Sequence, residues 1–145
     1  MDTAKMLAHN AQMIEEFRTT GGTLSAFGDG PVLLLTTTGA RSGKQRTSPM
    51  MYLADPDHPD DPRVVYVFAS KAGADDNPAW FHNLVAHPEV TVEIGRETRA
   101  AVAEPVAEPE RTRLYAIQAG RFPGFAEYER RTRRTIPVVA LTLAD

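Results

Sequence analysis

The sequence has no cysteine, one tryptophan and four histidines in 145 residues. Without cysteine there is no thiol nucleophile, no Cys-ligated zinc site and no disulfide framework. This suits a reducing compartment, and a cytoplasmic location is expected. Long apolar runs are missing too. The longest, Val32-Leu33-Leu34-Leu35, is strand-sized and far short of the roughly 20 residues of a membrane span. Residues 1–20 carry no apolar signal-peptide core. Excess positive charge is also absent: 16 Lys and Arg stand against 19 Asp and Glu, a net charge of -3, so no bulk attraction to nucleic acid is expected.

Metal-ligand patterns are equally scarce. His82 and His87 are five positions apart and do not share a helical face. Asp55, Asp57, Asp60 and Asp61 crowd one stretch. However, Pro59 and Asp60 replace the EF-hand turn, and Tyr66 stands where its bidentate glutamate belongs. A solvated turn and no bound metal are expected. No paired carboxylates and no Ser/His/Asp arrangement suggest acid–base or nucleophilic catalysis.

What is present is ordinary globular material, 42% hydrophobic and 24% charged, sized for a single core. Residues 4–19 read as an amphipathic helix, with Met6, Met13, Ile14 and Phe17 near one face and Gly21-Gly22 as its stop. This gives an N-terminal helix over residues 1–22, followed by the main unit over residues 23–145. The helix either caps the core or docks a partner or, weakly, a membrane surface. Having only Lys5 and Arg18 as basic residues, it would gain little from anionic lipid.

Strands are expected at 31–37, 47–53, 63–69, 90–94, 98–106 and 136–143, with a polar turn over 55–62. Helices are expected from Pro78 to about Ala86, with Asn77 as N-cap, and from Glu108 to about Ala119, broken by Gly120. A third short helix begins at Pro123. Most strand links are short, which favours antiparallel pairing. The class is α+β: a barrel-like antiparallel sheet with helices at its ends.

The densest chemistry lies between the first two strands. Arg41, Lys44 and Arg46 fall within six positions, among the hydroxyls of Thr36, Thr37, Thr38, Ser42, Thr47 and Ser48. Gly39 and Gly43 let a ligand approach the backbone N–H groups. Arginine offers a planar fork and lysine a mobile charge for phosphate or carboxylate oxygens. The segment lacks Walker A spacing, and a strand rather than a helix follows it, which also excludes a Rossmann fingerprint. A solvated basic hairpin loop is the plain alternative.

The segment Leu33 to Pro49 resembles the phosphate-binding stretch of the deazaflavin-dependent nitroreductase family. The resemblance continues in order through Ala69-Ser70-Lys71-Ala72-Gly73-Ala74, Asn77-Pro78-Ala79-Trp80-Phe81-His82-Asn83-Leu84, His87-Pro88 and Arg134-Thr135-Ile136-Pro137. It implies a split β-barrel of the FMN-binding type and the cofactor F420, a deazaflavin with a phosphate and an oligoglutamate tail. By position, Ala40, Arg41, Ser42, Arg46, Thr47, Ser48 and Pro49 would line the phosphate side, with Lys44 adding charge. Phe68, Ala69, Ser70 and Lys71 would run along the ring, and Ala79, Trp80, Phe81, His82 and Asn83 would close over it. The family often has a basic residue where Ala40 stands and a proline where Gln45 stands. Arg41 and Lys44 would then carry the tail contact.

The implied activity is hydride transfer from reduced F420 to a small hydrophobic acceptor such as a quinone, an enone or a nitro compound. The cofactor supplies the hard step and the protein aligns the reactants. Ser70, Tyr128 or water would relay the proton. Met51, Phe122, Phe125 and Tyr128 would flank the acceptor, the last three recurring every three residues on one helical face. Phe125 and Met51 stand where nitroimidazole-activating relatives carry ring hydroxyls, so efficient prodrug activation is not expected. The competing readings are an FMN enzyme on the same barrel and a non-catalytic carrier of lipid or cofactor, either as a monomer or a homodimer.

Overall fold

A computed structural model describes residues 3–60 and 63–144, apart from the side chains of Thr3 and Met6. Asp61, Pro62 and the Met6 side chain, named above, lie outside the described set. The apolar run at residues 32–35 sits at the centre of the fold. In a strand, side chains alternate between faces, and here both faces are covered. Leu33 and Leu35 point into the barrel with Val65, Val67, Val92, Val139 and Leu141. Val32 and Leu34 point outward, onto Phe17 and Leu24. A strand buried on both sides has no need of polar alternation.

The chain order is α1 (Thr3–Thr20), β1 (Val32–Thr38), β2 (Gln45–Met51), β3 (Leu53–Ala54), β4 (Val64–Phe68), α2 (Ala79–Ala86), β5 (Glu89–Ile94), β6 (Glu97–Pro105), α3 (Glu110–Arg121), α4 (Gly124–Arg131) and β7 (Val138–Leu143). Short 3-10 turns occupy Ser25–Phe27 and Lys71–Gly73. The sheet runs β2-β1-β5-β6-β7-β4-β3, with every pair antiparallel. Its two edges, β2 and β3, are consecutive in sequence and separated by Tyr52 alone. The sheet therefore curls until its edges approach each other at this segment, with no ladder joining β2 to β3 among the described residues. The Tyr52 N–H donates to the Pro31 carbonyl (3.1 Å), which anchors that corner. Burial pushes the Tyr52 hydroxyl pKa up.

The helices cover the outer faces. Phe17 of α1 is fully buried, and Met13 and Ile14 pack beside it. Burying a side chain of this size stabilises by about 1.5–3 kcal/mol. Leu84 caps the barrel interior from α2. On the far side, α3 and α4 bury Leu114, Tyr115 and Phe125 against Leu53, Phe68, Ile136 and Val138.

Two boundaries differ from expectation. Gly120 does not end α3, which runs on to Arg121 and stops ahead of Pro123. The Phe122 N–H still reaches the Gln118 carbonyl (2.8 Å), so one glycine in an otherwise favourable helix costs too little to break it. A Cβ at Gly120 would meet nothing within 4 Å. Gly120→Ala is therefore expected to raise stability by about 0.5–1 kcal/mol, read as a higher urea midpoint with an unchanged slope. Second, Asn77 does not cap α2. Its side-chain oxygen accepts from Arg134 instead (2.7 Å), and Pro78 takes the cap position.

Candidate active site

The β1–β2 hairpin is shaped by its own backbone. The Gly39 N–H donates to the Lys44 carbonyl (2.8 Å), and the Gly43 N–H to the Gly39 carbonyl (3.0 Å). Gly43 takes a positive φ of 70°, which glycine adopts without a Cβ penalty. Thr36 and Thr47 face each other across the strands with hydroxyls 2.7 Å apart. Asn83 of α2 locks the hairpin from outside. Its amide oxygen accepts from the Ala40 N–H (3.0 Å), and its amide nitrogen donates to the buried Thr37 hydroxyl (3.1 Å). Both ends of the Asn83 side chain are thus engaged within the protein.

Beside this hairpin lies a groove of about 560 Å³. Arg46, Thr47, Ser48 and Pro49 of β2 form one wall, and Ala79, Trp80 and Asn83 of α2 form another. Leu7, Asn10, Ala11 and Ile14 of α1 form a third. The groove continues into a second cavity of about 380 Å³, the two sharing Pro49, Lys71, Pro78 and Trp80. The inner cavity is lined by Phe27, Met51, Phe68, Ser70, Phe122, Phe125 and Tyr128. One cleft therefore runs from a cationic, hydroxyl-rich end to an aromatic end.

Its charges are arranged to suit an anion. Among the described residues no carboxylate pairs with Arg41, Lys44 or Arg46. By contrast, Arg18 pairs with Glu93, Arg113 with Glu110 and Asp57, and Arg130 and Arg131 with Glu127. Lys71 donates to Asp76 (2.9 Å), and this contact holds the Asp76 carboxyl below the usual carboxylate range.

The turn at Lys71–Gly73 is unusual. Lys71 and Ala72 both lie in the left-handed region, at φ 45° and 54°. Such backbone costs roughly 1–3 kcal/mol per non-glycine residue and persists only where its surroundings enforce it. Here α4 lies directly on the turn. A Cβ on Gly73 would come within 2.9 Å of the Arg131 Cβ and 3.0 Å of the Tyr128 carbonyl, and Gly73 itself has φ 83°. Gly73→Ala should therefore push α4 away, costing more than about 1 kcal/mol. A lowered Tm together with a weakened acceptor KM would show it.

The aromatic end is closely packed. Phe125 meets Phe68, Tyr115 and Tyr128 edge-on at 5.5, 6.3 and 5.3 Å. The Tyr115 hydroxyl donates to the Phe125 carbonyl (2.7 Å), and burial raises its pKa.

Most of the site residues expected from the sequence converge on the cleft. Ala40, Arg41, Ser42 and Lys44 sit exposed on the hairpin beside it, outside its walls. Ala69 is fully buried, and its carbonyl accepts from Arg134. Phe81 packs on the barrel core, and His82 is exposed. Neither lines the cleft. Sequence reasoning missed Phe27, Leu7, Asn10, Ala11 and Ile14. The apolar face of α1 was visible, but nothing in it said that the helix edge would border a groove.

Comparison with known proteins decides the family. The sequence model of the F420H(2)-dependent quinone reductases matches residues 8–143. The chain belongs to that family. A curated F420H(2)-dependent quinone reductase of Mycobacterium tuberculosis is 37% identical over 115 residues, covering 77% of this chain and 73% of its own length. A solved F420-H2 dependent reductase is 33% identical with a TM-score of 0.66, covering 77% of this chain and 93% of that one. A solved chain described as a domain-swapped dimer is 30% identical with a TM-score of 0.68, over 96% of this chain and 98% of its own. A Clostridium acetobutylicum protein of the pyridoxinephosphate oxidase family shares only the fold, at 10% identity and a TM-score of 0.53. With this membership, the protein is an F420H2-dependent reductase on a split barrel.

Proposed function

We propose that this protein reduces a small hydrophobic quinone with reduced F420 held in the cleft between β2, α1 and α2. The observation that carries the reading is the polarity of the cleft. Arg46, which no carboxylate among the described residues pairs, lies with Thr47 and Ser48 at one end, and a closely packed aromatic pocket lies at the other. A flat ring with a polyanionic tail needs apolar walls, a few fixed polar groups and a cationic end. The residues present fit such a cofactor.

Arg46, Thr47 and Ser48 would hold its phosphate, with Arg41 and Lys44 reaching the acidic tail from the hairpin. Pro49, Lys71, Ala79 and Trp80 would bound the ring. Lys71 and Trp80 border the region where the groove opens into the aromatic pocket, and Ser70 lines that pocket. When bound, reduced F420 supplies a hydride. A quinone that gains one hydride and one proton becomes a hydroquinone. Ser70 and Tyr128, both in the pocket wall, would relay that proton through their hydroxyls. Met51, Phe122 and Phe125 give the acceptor an apolar seat, which suits a quinone. Alignment in such a seat is worth up to roughly 7–11 kcal/mol of the barrier.

Titration of the purified protein with F420 and with FMN, followed by stopped-flow oxidation of the bound reduced cofactor against a naphthoquinone, an enone and a nitroimidazole, tests the reading. F420 binding and fast oxidation by the quinone are expected. Tight binding of FMN alone, or no oxidation by any acceptor, would refute it. The second outcome would favour a carrier.

A further inference from the structure

Arg134 lies in the connection between α4 and β7, and its guanidinium is committed to a single segment. Nε donates to the Ala74 carbonyl (2.8 Å) and Nη1 to the Asn77 side chain (2.7 Å). Nη2 donates to the carbonyls of Ala69 and Ser70, both at 3.0 Å. A guanidinium has five N–H donors. Four are used here, so Arg134 has little left for an anionic tail. Two residues earlier, the Thr132 hydroxyl donates to Asp75 (3.1 Å). The chain that leaves α4 is thus fastened to residues 69–77 along its length.

That segment holds the left-handed pair Lys71 and Ala72, and Ser70, Lys71 and Ala72 line the inner cavity. Within the turn, the Gly73 N–H donates to the Ser70 carbonyl (2.8 Å) and the Ala74 N–H to the Lys71 carbonyl (3.1 Å). The Ser70 carbonyl therefore accepts from both Gly73 and Arg134. An unfavourable backbone arrangement needs such external determination to persist. A lysine could not substitute, because one ammonium on a flexible stem cannot span acceptors from Ala69 to Asn77.

We propose that Arg134 is a positioning residue for the reaction. It holds residues 70–73 in the one backbone arrangement that presents Ser70 and Lys71 to the cleft, and it ties that turn to α4, which carries Phe125 and Tyr128. The cofactor-facing and acceptor-facing walls then keep a fixed relation, as alignment of donor and acceptor requires. This rests on the F420 reading above.

The test uses the full chain as Arg134→Ala and Arg134→Lys, with Arg46→Ala beside them. Hydrogen exchange without cofactor should show faster exchange at Gly73 and Ala74 in both Arg134 variants, while the barrel strands keep their protection. F420 affinity, read by fluorescence, should fall, and the rate at which a quinone oxidises the bound reduced cofactor should drop about 10- to 100-fold, since a misplacement of 1 Å can cost on the order of 100-fold in rate. Millimolar guanidinium should restore part of it to Arg134→Ala and none to Arg134→Lys, whose side chain still fills the site. Unchanged turn exchange, or F420 affinity within twofold of the parent in Arg134→Lys, overturns the proposal. So does loss of protection spread across the barrel, which would make Arg134 a general core residue. Unchanged F420 affinity in Arg46→Ala refutes the cofactor reading itself.

Discussion

Arg46→Ala should weaken F420 binding roughly 10- to 100-fold, because a charge-assisted hydrogen bond contributes about 1.5–3 kcal/mol. Arg46 is the basic residue of the hairpin that lines the groove, and no carboxylate among the described residues competes for it. Arg41→Ala and Lys44→Ala should cost less, because neither residue lines the groove and each would reach a ligand only from its rim. The three losses should also differ in salt dependence. Contacts made at the exposed rim are screened over about 8–10 Å at physiological ionic strength, and a contact within the groove is screened less. Fluorescence titration at low and high salt separates them. Equal losses for all three would mean that the groove does not order the tail.

Phe125→Ala should be the most damaging single change at the acceptor end. Phe125 is 8% exposed and makes three edge-on ring contacts. Truncating a buried phenylalanine costs about 3–5 kcal/mol. For a chain near this size that corresponds to a fall in Tm of roughly 10 °C or more. The same change removes a wall of the inner cavity, so the acceptor KM should rise while F420 affinity moves little. Phe125→Tyr separates the two effects. It keeps the ring and adds the hydroxyl of the nitroimidazole-activating relatives, so most of the stability should return and nitro reduction should rise relative to quinone reduction. A thermal melt and steady-state rates with both acceptors check this. Unaltered selectivity in Phe125→Tyr would remove Phe125 from the acceptor site.

Residues 32–35 show what was legible from the sequence and what was not. The run was recognisable as a strand because four consecutive apolar, branched residues fit no exposed element. It could not reveal which face met the barrel interior and which met α1, because that depends on what packs against each side. Asn77 is a similar case. Asn before Pro is a sound local signal for a helix start, yet its side chain is taken by Arg134, 57 positions away. At Gly120 the local preference was real but too small to stop a helix that tertiary packing sustains.

The hairpin with Arg41, Lys44 and Arg46 was legible in the sequence alone as a candidate anion site: clustered charge, hydroxyls and glycines between two strands are local chemistry. The order of the motifs specified the family and its barrel. Only the tertiary structure decided that Arg46 lines the groove while Arg41 and Lys44 stand at its rim, since α1 and α2 pack beside β2 and leave the turn ahead of it outside the walls. Only the structure placed Phe27 and the α1 residues around the cleft and engaged both ends of Asn83 in the protein. The physical reason is the same in each case. Charge and turn chemistry act within a few residues, whereas a cleft is made where segments tens of positions apart stop filling each other's space.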